Sequence, residues 1–146
     1  MNHSLVNDVL EKRFTEAEVW ALIKECDRNK TPGSDGFNML CVQKGWKVIK
    51  NDIMKFMKEF HDNSRLGYGM NCSLVTLIPK NDNPSSIGDY RPVSLINSVY
   101  KILSKVLASR FKQVLPAVID KAQSVFLSGT NIIDGVLIAN EVVDWC

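Results

Sequence analysis

The chain has 146 residues, of which 45% are hydrophobic and 23% are charged, and its formal net charge is +2. This length suits one domain with a buried core, and the composition excludes a disordered tail, a collagen-like chain and a cysteine-dense secreted scaffold. So small a net charge does not by itself indicate a polyanionic partner.

A capping box predicts the first clear helix. Thr15 is followed three residues later by Glu18, and apolar residues at helical spacing come directly behind them. We expect this helix to end near Asn29, because the compact turn Thr31–Gly36 contains a proline and two glycines. Residues 1–13 are expected to form a flexible lead-in.

A second helix is predicted from Phe37 to Phe60. Its apolar stripe consists of Ile49, Ile53, Phe56, Met57 and Phe60. The glycine-containing segment from Asn63 to Asn71 reads as a loop.

A short β-hairpin is predicted next. Residues 74–78 are rich in β-branched and apolar side chains, residues 81–88 have the composition of a turn, and residues 89–93 form the returning strand. Pro92 cannot donate a backbone hydrogen bond, so we expect the second strand to be short or at an edge.

Ser94 is the predicted N-cap of the longest helix, from about Leu95 to Leu115; Pro116 ends it or begins a short turn of helix. The predicted buried face comprises Tyr100, Leu103, Val106, Leu107, Phe111 and Val114. An irregular link at 123–127 and a last helix capped by Asn131 follow. The predicted fold class is therefore α+β, mostly helical with one short β-hairpin.

The cysteines and histidines do not suggest a metal site. The cysteines are Cys26, Cys41, Cys72 and Cys146; no pair has C-x-x-C spacing, and neither His3 nor His61 lies near one of them. We expect free thiols and an intracellular protein that does not enter a membrane, because the sequence shows neither a signal peptide nor a membrane-spanning run.

Positive charge is concentrated in one part of the chain. Between Lys80 and Lys112 there are six basic and two acidic residues, a balance of +4. Such a window is compatible with contacts to phosphates, although charge alone favours a solvated helix face. No Ser-His or Cys-His arrangement stands out, and neither standard glycine-rich phosphate loop occurs in the sequence. Asp134 and Glu141 are interpreted as surface carboxylates.

Two cations stand at the ends of the predicted hairpin arms. Lys80 follows the first strand and Arg91 lies in the second. A hairpin can direct both toward a triphosphate, with Lys as a point charge and Arg as a planar fork. The alternative is a pair of ordinary surface charges.

Several segments together resemble the front of the reverse-transcriptase domain of non-LTR (LINE-type) retrotransposons, most closely those of plants. The similar segments are Phe14–Glu18, Lys30–Phe37, Leu77–Lys80, Asp89–Leu95, Tyr100–Ile102, Leu107–Arg110 and Gln123–Phe126. They occur in the order and at the spacing of that family. The resemblance covers the chain from about Phe14 to Trp145.

The resemblance implies part of a right-hand polymerase, namely the fingers and the start of the palm, over residues 14–146. Lys80 and Arg91 match the residues that contact the triphosphate of the incoming nucleotide. The nucleic-acid-binding positions that it implies are Lys101, Lys105, Arg110, Lys112, Gln123 and Phe126. It also implies an RNA template, a DNA primer and a nuclear location; the oligomeric state is not indicated.

The sequence departs from the family in two ways. Gly129-Thr130 stands where the family usually has Gly-Arg, and the motifs with the catalytic aspartates are not among these residues. We therefore expect no catalytic residue, metal or cofactor in this chain, although the complete family domain uses Mg²⁺. The first hypothesis is a polymerase fragment that is inactive alone; the alternatives are a residual RNA- or DNA-binding module and a non-functional retroelement relic.

Overall fold

A computed structural model describes residues 3–118, which form four α-helices and one β-hairpin. The elements in chain order are α1 (His3–Leu10), α2 (Glu16–Lys24), α3 (Met39–Asn63), β1 (Ser73–Pro79), a short 3-10 helix (Ile87–Asp89), β2 (Tyr90–Ile96) and α4 (Ser98–Val118). The predicted α+β class, mostly helical with one hairpin, is confirmed. The link at 123–127 and the helix predicted from Asn131 lie outside the described residues.

Helix α2 begins as its capping box predicts and ends earlier than expected. The Thr15 hydroxyl accepts a hydrogen bond from the Glu18 backbone N–H at 3.3 Å. The last helical residue is Lys24 rather than a residue near Asn29. Beyond it the Asp27 carboxylate accepts from the Asn29 N–H at 3.0 Å, a local hydrogen bond that competes with helix continuation.

Helix α3 confirms the second predicted helix, displaced by two to three residues at each end. The Asn38 side chain caps its first turn by accepting from the Cys41 N–H at 3.0 Å. Ser64 ends the helix in the left-handed conformation with φ of 53°, and its N–H donates to the Phe60 carbonyl at 2.8 Å.

Helix α4 corrects several predictions. Ser94 is not its N-cap, because Ser94 lies in β2 opposite Val75, and the regular pairing of β2 with β1 continues to Ile96. The helix instead runs from Ser98 to Val118. With 21 residues it is shorter than α3, which has 25.

Two predictions also concern the far end of α4. Of the two alternatives for Pro116, the helix does not end there: Pro116 lies within α4, which continues to Val118, because a proline near the end of a helix disrupts few of its hydrogen bonds. Leu103, Val106 and Val114 are buried as predicted, whereas Phe111 is 50% exposed.

The hydrophobic core is formed by α2, α3 and α4. Its buried residues are Val19, Ile23, Met39, Val42, Trp46, Ile53, Met57, Ile102, Leu103 and Val106. The indole rings of Trp20 and Trp46 stack at 5.0 Å between centroids, which joins α2 to α3. Helix α1, which the sequence did not predict, covers much of the lead-in and packs against α4.

The hairpin stands apart from this core. β1 and β2 pair antiparallel in a register that runs from Ser73 opposite Ile96 to Pro79 opposite Tyr90. Every residue of β1 is exposed, and no residue of either strand belongs to the core cluster. We refer to α1–α4 as the helical body and to residues 73–96 as the hairpin.

Candidate functional site

The hairpin register brings Lys80 and Arg91 to one face. Arg91 lies directly opposite Ile78, and Lys80 comes two residues after Ile78. Because side chains alternate between faces along a strand, Ile78, Lys80 and Arg91 share one face. The Lys80 N–H bonds to the Asp89 carbonyl at 2.7 Å, which extends the pairing past the last strand residue. The two cations are therefore diagonal neighbours, as the hairpin prediction required.

Both cations are exposed and retain hydrogen-bonding capacity. The Lys80 ammonium donates to the Gly88 carbonyl at 2.7 Å, which uses one of its three protons. Within residues 3–118 neither Lys80 nor Arg91 forms an ion pair with a carboxylate. An anion at this face would find one lysine and one arginine ready to donate.

The turn beside the site is ordered by Asp89. Its carboxylate accepts from the backbone N–H groups of Ser85 and Ser86, both at 2.9 Å, and from the Ser86 hydroxyl at 3.1 Å. The hydrogen bonds from Ser86 and Ser85 hold the pKa of Asp89 below its ordinary value. This carboxylate is occupied by serine donors and forms no ion pair with Lys80 or Arg91 within residues 3–118.

The predicted nucleic-acid-binding residues of α4 occupy different environments. Lys112 is exposed, whereas Lys101 and Lys105 are half-buried. The Lys101 ammonium donates to the Thr31 carbonyl at 3.1 Å, and that of Lys105 lies 3.7 Å from a Glu25 carboxylate oxygen. Lys30, Lys101 and Lys105 line one surface cleft of about 370 Å³, together with Glu25 and Asp27. Gln123 and Phe126 lie outside the described residues.

Arg110 has a structural environment rather than a surface one. It is 3% exposed, and its guanidinium forms two 2.8 Å hydrogen bonds with the Glu18 carboxylate. Its remaining donors reach the backbone carbonyls of Leu10, Lys12 and Arg13. The bonds from Arg110 are the chief reason that the pKa of Glu18 lies below its ordinary value. All five N–H donors of the Arg110 guanidinium are engaged within the protein, so none is free for the phosphate contact that the resemblance implies.

A second polar cluster links the turn after α2 to the start of α4. The Asp35 carboxylate accepts from the Ser98 N–H at 2.6 Å and also from the Ser98 hydroxyl. The Asn97 side-chain oxygen accepts from the Ser34 hydroxyl at 2.6 Å and from the Asp35 N–H at 3.2 Å. The carboxylate of Asp35 thus caps α4 from 63 residues away.

Sequence reasoning missed this cluster, and it missed the pairing of Glu18 with Arg110. The sequence pattern identifies Thr31–Gly36 only as a turn, and it places the cap of α4 at Ser94, whereas Asp35 provides that cap. The one signal in the sequence is the polar pair Ser34 and Asp35 between two glycines. That signal does not reveal a partner distant in sequence.

An apolar groove of about 730 Å³ lies beside the cluster. The exposed side chains of Phe37 and Val48 form part of its wall, together with Ile49 and Val99. Its lining offers few polar groups, so it suits apolar contact rather than acid–base chemistry.

Neither a metal centre nor a membrane span emerges from the described part of the chain. Residues 3–118 contain no group of three or more His, Cys, Asp or Glu side chains placed to hold a metal ion. Among the helices of that same range, none combines the length and apolarity needed to cross a membrane.

Comparison with known proteins relates the chain to a transposon protein. It is similar to the transposon TX1 uncharacterized 149 kDa protein of Xenopus laevis, with 30% identity over 134 residues. The similarity covers 92% of this chain but only 10% of that relative, so the chain spans about a tenth of the relative's length. No family model matches the sequence.

Proposed function

We propose that these residues are a fingers segment of an RNA-directed DNA polymerase of a non-LTR retrotransposon, and that the hairpin binds the triphosphate of the incoming nucleotide. The observation that carries the proposal is the shared face of Lys80 and Arg91. The transposon relative and the ordered set of motifs support the same origin. Because the relative is about ten times longer, the activity of a whole polymerase belongs to this proposal rather than to the comparison.

The two side chains suit the two tasks that a triphosphate requires. The guanidinium of Arg91 can bind two phosphate oxygens at once, whereas the ammonium of Lys80 acts as a point charge. The Gly88 carbonyl already holds the ammonium near the turn, so Lys80 loses less freedom when an anion arrives. The hairpin would therefore bind and orient the nucleotide without transferring a proton.

The bond-forming step needs groups that this site does not supply. Nucleotide addition uses carboxylates that hold two metal ions, commonly Mg²⁺, near the primer hydroxyl. The hairpin contains two acidic residues, Asp82 and Asp89, and the Asp89 carboxylate already accepts bonds from two serines. We therefore expect purified chain to give no primer extension with Mg²⁺ or Mn²⁺, and template-dependent incorporation would contradict that expectation.

A titration with a deoxynucleoside triphosphate tests the binding role. We expect Lys80→Gln and Arg91→Gln each to weaken the affinity for deoxyguanosine triphosphate by roughly tenfold, as loss of a charge-assisted hydrogen bond predicts. Lys47→Gln is the matched control, because Lys47 is an exposed cation on α3. Equal affinities in all three variants would contradict the proposal.

A cleft lined by three lysines and two acidic residues motivates a second candidate function, a nucleic-acid-binding module without catalysis. Lys30, Lys101 and Lys105 converge on that cleft, and Lys112 lies further along α4. Cations grouped on one surface can release condensed counterions from a nucleic-acid strand, which makes binding weaken with salt. In the polymerase proposal the same surface would lie along the template–primer; Gln123 and Phe126 stay predictions for that role.

Charge reversal on two helices tests the second candidate. We expect the triple change of Lys101, Lys105 and Lys112 to Glu to abolish salt-dependent binding of a labelled single-stranded RNA. The control reverses Lys44, Lys47 and Lys58, three exposed lysines of α3, and changes the net charge equally. Equal losses would show non-specific attraction only. A non-functional relic predicts no site-specific loss in either this or the nucleotide titration.

A further inference from the structure

We infer that the loop Gly33–Gly36, named the capping loop, is a positioning element that fixes the direction of the hairpin relative to the helical body. Its consequence for nucleotide affinity rests on the proposed function of Lys80 and Arg91. The orientation of the hairpin itself can be tested without a nucleotide.

The hairpin needs such an element because the body does not hold it along its length. All of β1 is exposed, and the apolar side chains of Val75, Leu77 and Ile78 remain 64%, 50% and 48% exposed. Within residues 3–118 the two strands pack chiefly on each other, and neither packs extensively on a helix. The direction of the hairpin is therefore set mainly at its base, where β2 passes into α4.

The capping loop is hydrogen-bonded to that base at two consecutive residues, Asn97 and Ser98. Ser34 and Asp35 donate to the Asn97 side-chain oxygen, and the Asp35 carboxylate accepts from the next residue, Ser98. Ser98 is 3% exposed, so water cannot readily replace the carboxylate as its acceptor. These bonds fix the two residues that connect the last strand residue, Ile96, to the helix.

Gly33 adds a close backbone contact at the same point. A Cβ atom placed on Gly33 would lie 2.7 Å from the Asn97 nitrogen and closer still to the Ile96 carbonyl oxygen. Both neighbours are backbone atoms, so no side-chain rotation can relieve the clash. The loop can approach the end of β2 only because position 33 has no side chain.

The length of the hairpin turns a small rotation at its base into a large displacement at the cations. Arg91 lies five positions before Ile96, which corresponds to roughly 16 Å along an extended strand. A rotation of about 10° at the base would then move Arg91 by roughly 3 Å, which is the length of a hydrogen bond. Loosening the capping loop would thus make the positions of Lys80 and Arg91 vary relative to the helical body, and so relative to any ligand that the body holds.

Distance measurements between spin labels test the inference directly. One label is placed on the hairpin turn by Asn83→Cys and one on α3 by Lys47→Cys, in the full chain with its four native cysteines changed to Ser. We expect Asp35→Ala and Gly33→Ala to shift or broaden the label-to-label distance distribution by several ångströms. Asp35→Asn retains an acceptor oxygen and should give a smaller change. The control is Gly45→Ala, since a Cβ there meets no atom within 4 Å.

The distance distribution separates positioning from simple stabilisation. A loop that only stabilises the fold would lower Tm and leave the distribution unchanged, and that result would overturn the inference. If Gly33→Ala does not fold, the graded Asp35 variants distinguish the same two outcomes. NMR should show that β1 and β2 are still paired in the variants. Under that condition we expect the variants with a displaced hairpin to bind deoxyguanosine triphosphate at least fivefold more weakly. A third outcome separates the two proposals: the variants displace the hairpin, but even the wild-type chain binds no nucleotide. That outcome would support the positioning role and refute the proposed function.

Discussion

Arg110 and Arg91 lie in the same basic stretch of the sequence but in opposite environments. Arg110 belongs to the helical body, where it is 3% exposed and bound to Glu18 and three backbone carbonyls. Arg91 belongs to the hairpin, where it is exposed and forms no ion pair within residues 3–118. The comparison shows that Arg110 is engaged within the body, whereas Arg91 stays exposed on the hairpin.

The apolar side chains show the same division. Val106 in α4 is fully buried, whereas Val75 in β1 is 64% exposed, although both are valines in regular elements. The body therefore carries the stability of the described fold, and substitutions there should lower it. Substitutions in the hairpin should change the free energy of unfolding little and should instead change the affinity for a ligand.

The largest effect should come from removing Arg110. Arg110→Ala leaves the Glu18 carboxylate without its principal partner and three carbonyls without a donor, so we expect the free energy of unfolding to fall by about 3–5 kcal/mol. Lys112→Ala, an exposed change two residues away, should alter it by less than about 0.5 kcal/mol. Denaturant unfolding measures both; equal effects would show that the bonds of Arg110 do not stabilise the fold.

A pH-dependent effect of intermediate size should follow from the lowered pKa of Glu18. Because the folded pKa lies below the unfolded value of 4.5, the stabilisation is complete above that pH and is lost as pH falls through the folded pKa. Glu18→Gln lacks this contribution and should cost about 1–3 kcal/mol near pH 7. The gap between wild type and variant should close below pH 4.5, and a gap independent of pH would contradict the assignment.

The two valines should differ in the same way, and Val75 should give the smallest effect. Val106→Thr buries a hydroxyl in the core and should cost about 1–3 kcal/mol unless a carbonyl accepts from it. Val75→Thr keeps a β-branched side chain on an exposed strand and should change stability by no more than about 0.5 kcal/mol. Thermal unfolding of the pair measures the difference. A comparable loss at Val75 would indicate that the hairpin is packed in solution.

The sequence predicted the elements whose signals are local. The capping box of α2, the stripe of α3 and the β-rich run of β1 all depend on neighbours within a few residues, and each element is present. The placement of Lys80 and Arg91 on the two arms of one hairpin is equally local, since a short turn brings the arms together. Their role with a triphosphate stays a prediction.

The errors arose where distant residues decide the outcome. Ser94 has the chemistry of an N-cap, but it lies in β2 and pairs with β1. Asp35, which precedes the hairpin in the chain, supplies the cap instead. Glu18 has the position of a capping-box residue, but its carboxylate bonds to Arg110 instead. Arg110 looked like a surface cation because its partners lie about 90–100 residues away.

The most direct test of a nucleotide site on the hairpin compares two double variants with the same loss of charge. Lys80→Gln with Arg91→Gln removes both hairpin cations, whereas Lys101→Gln with Lys105→Gln removes two cations of α4. Titration of each variant with deoxyguanosine triphosphate at one salt concentration should show at least tenfold weaker binding for the hairpin variant and near wild-type binding for the α4 variant. Equal weakening in both would show that the triphosphate responds only to net charge, and would contradict a nucleotide site on the hairpin.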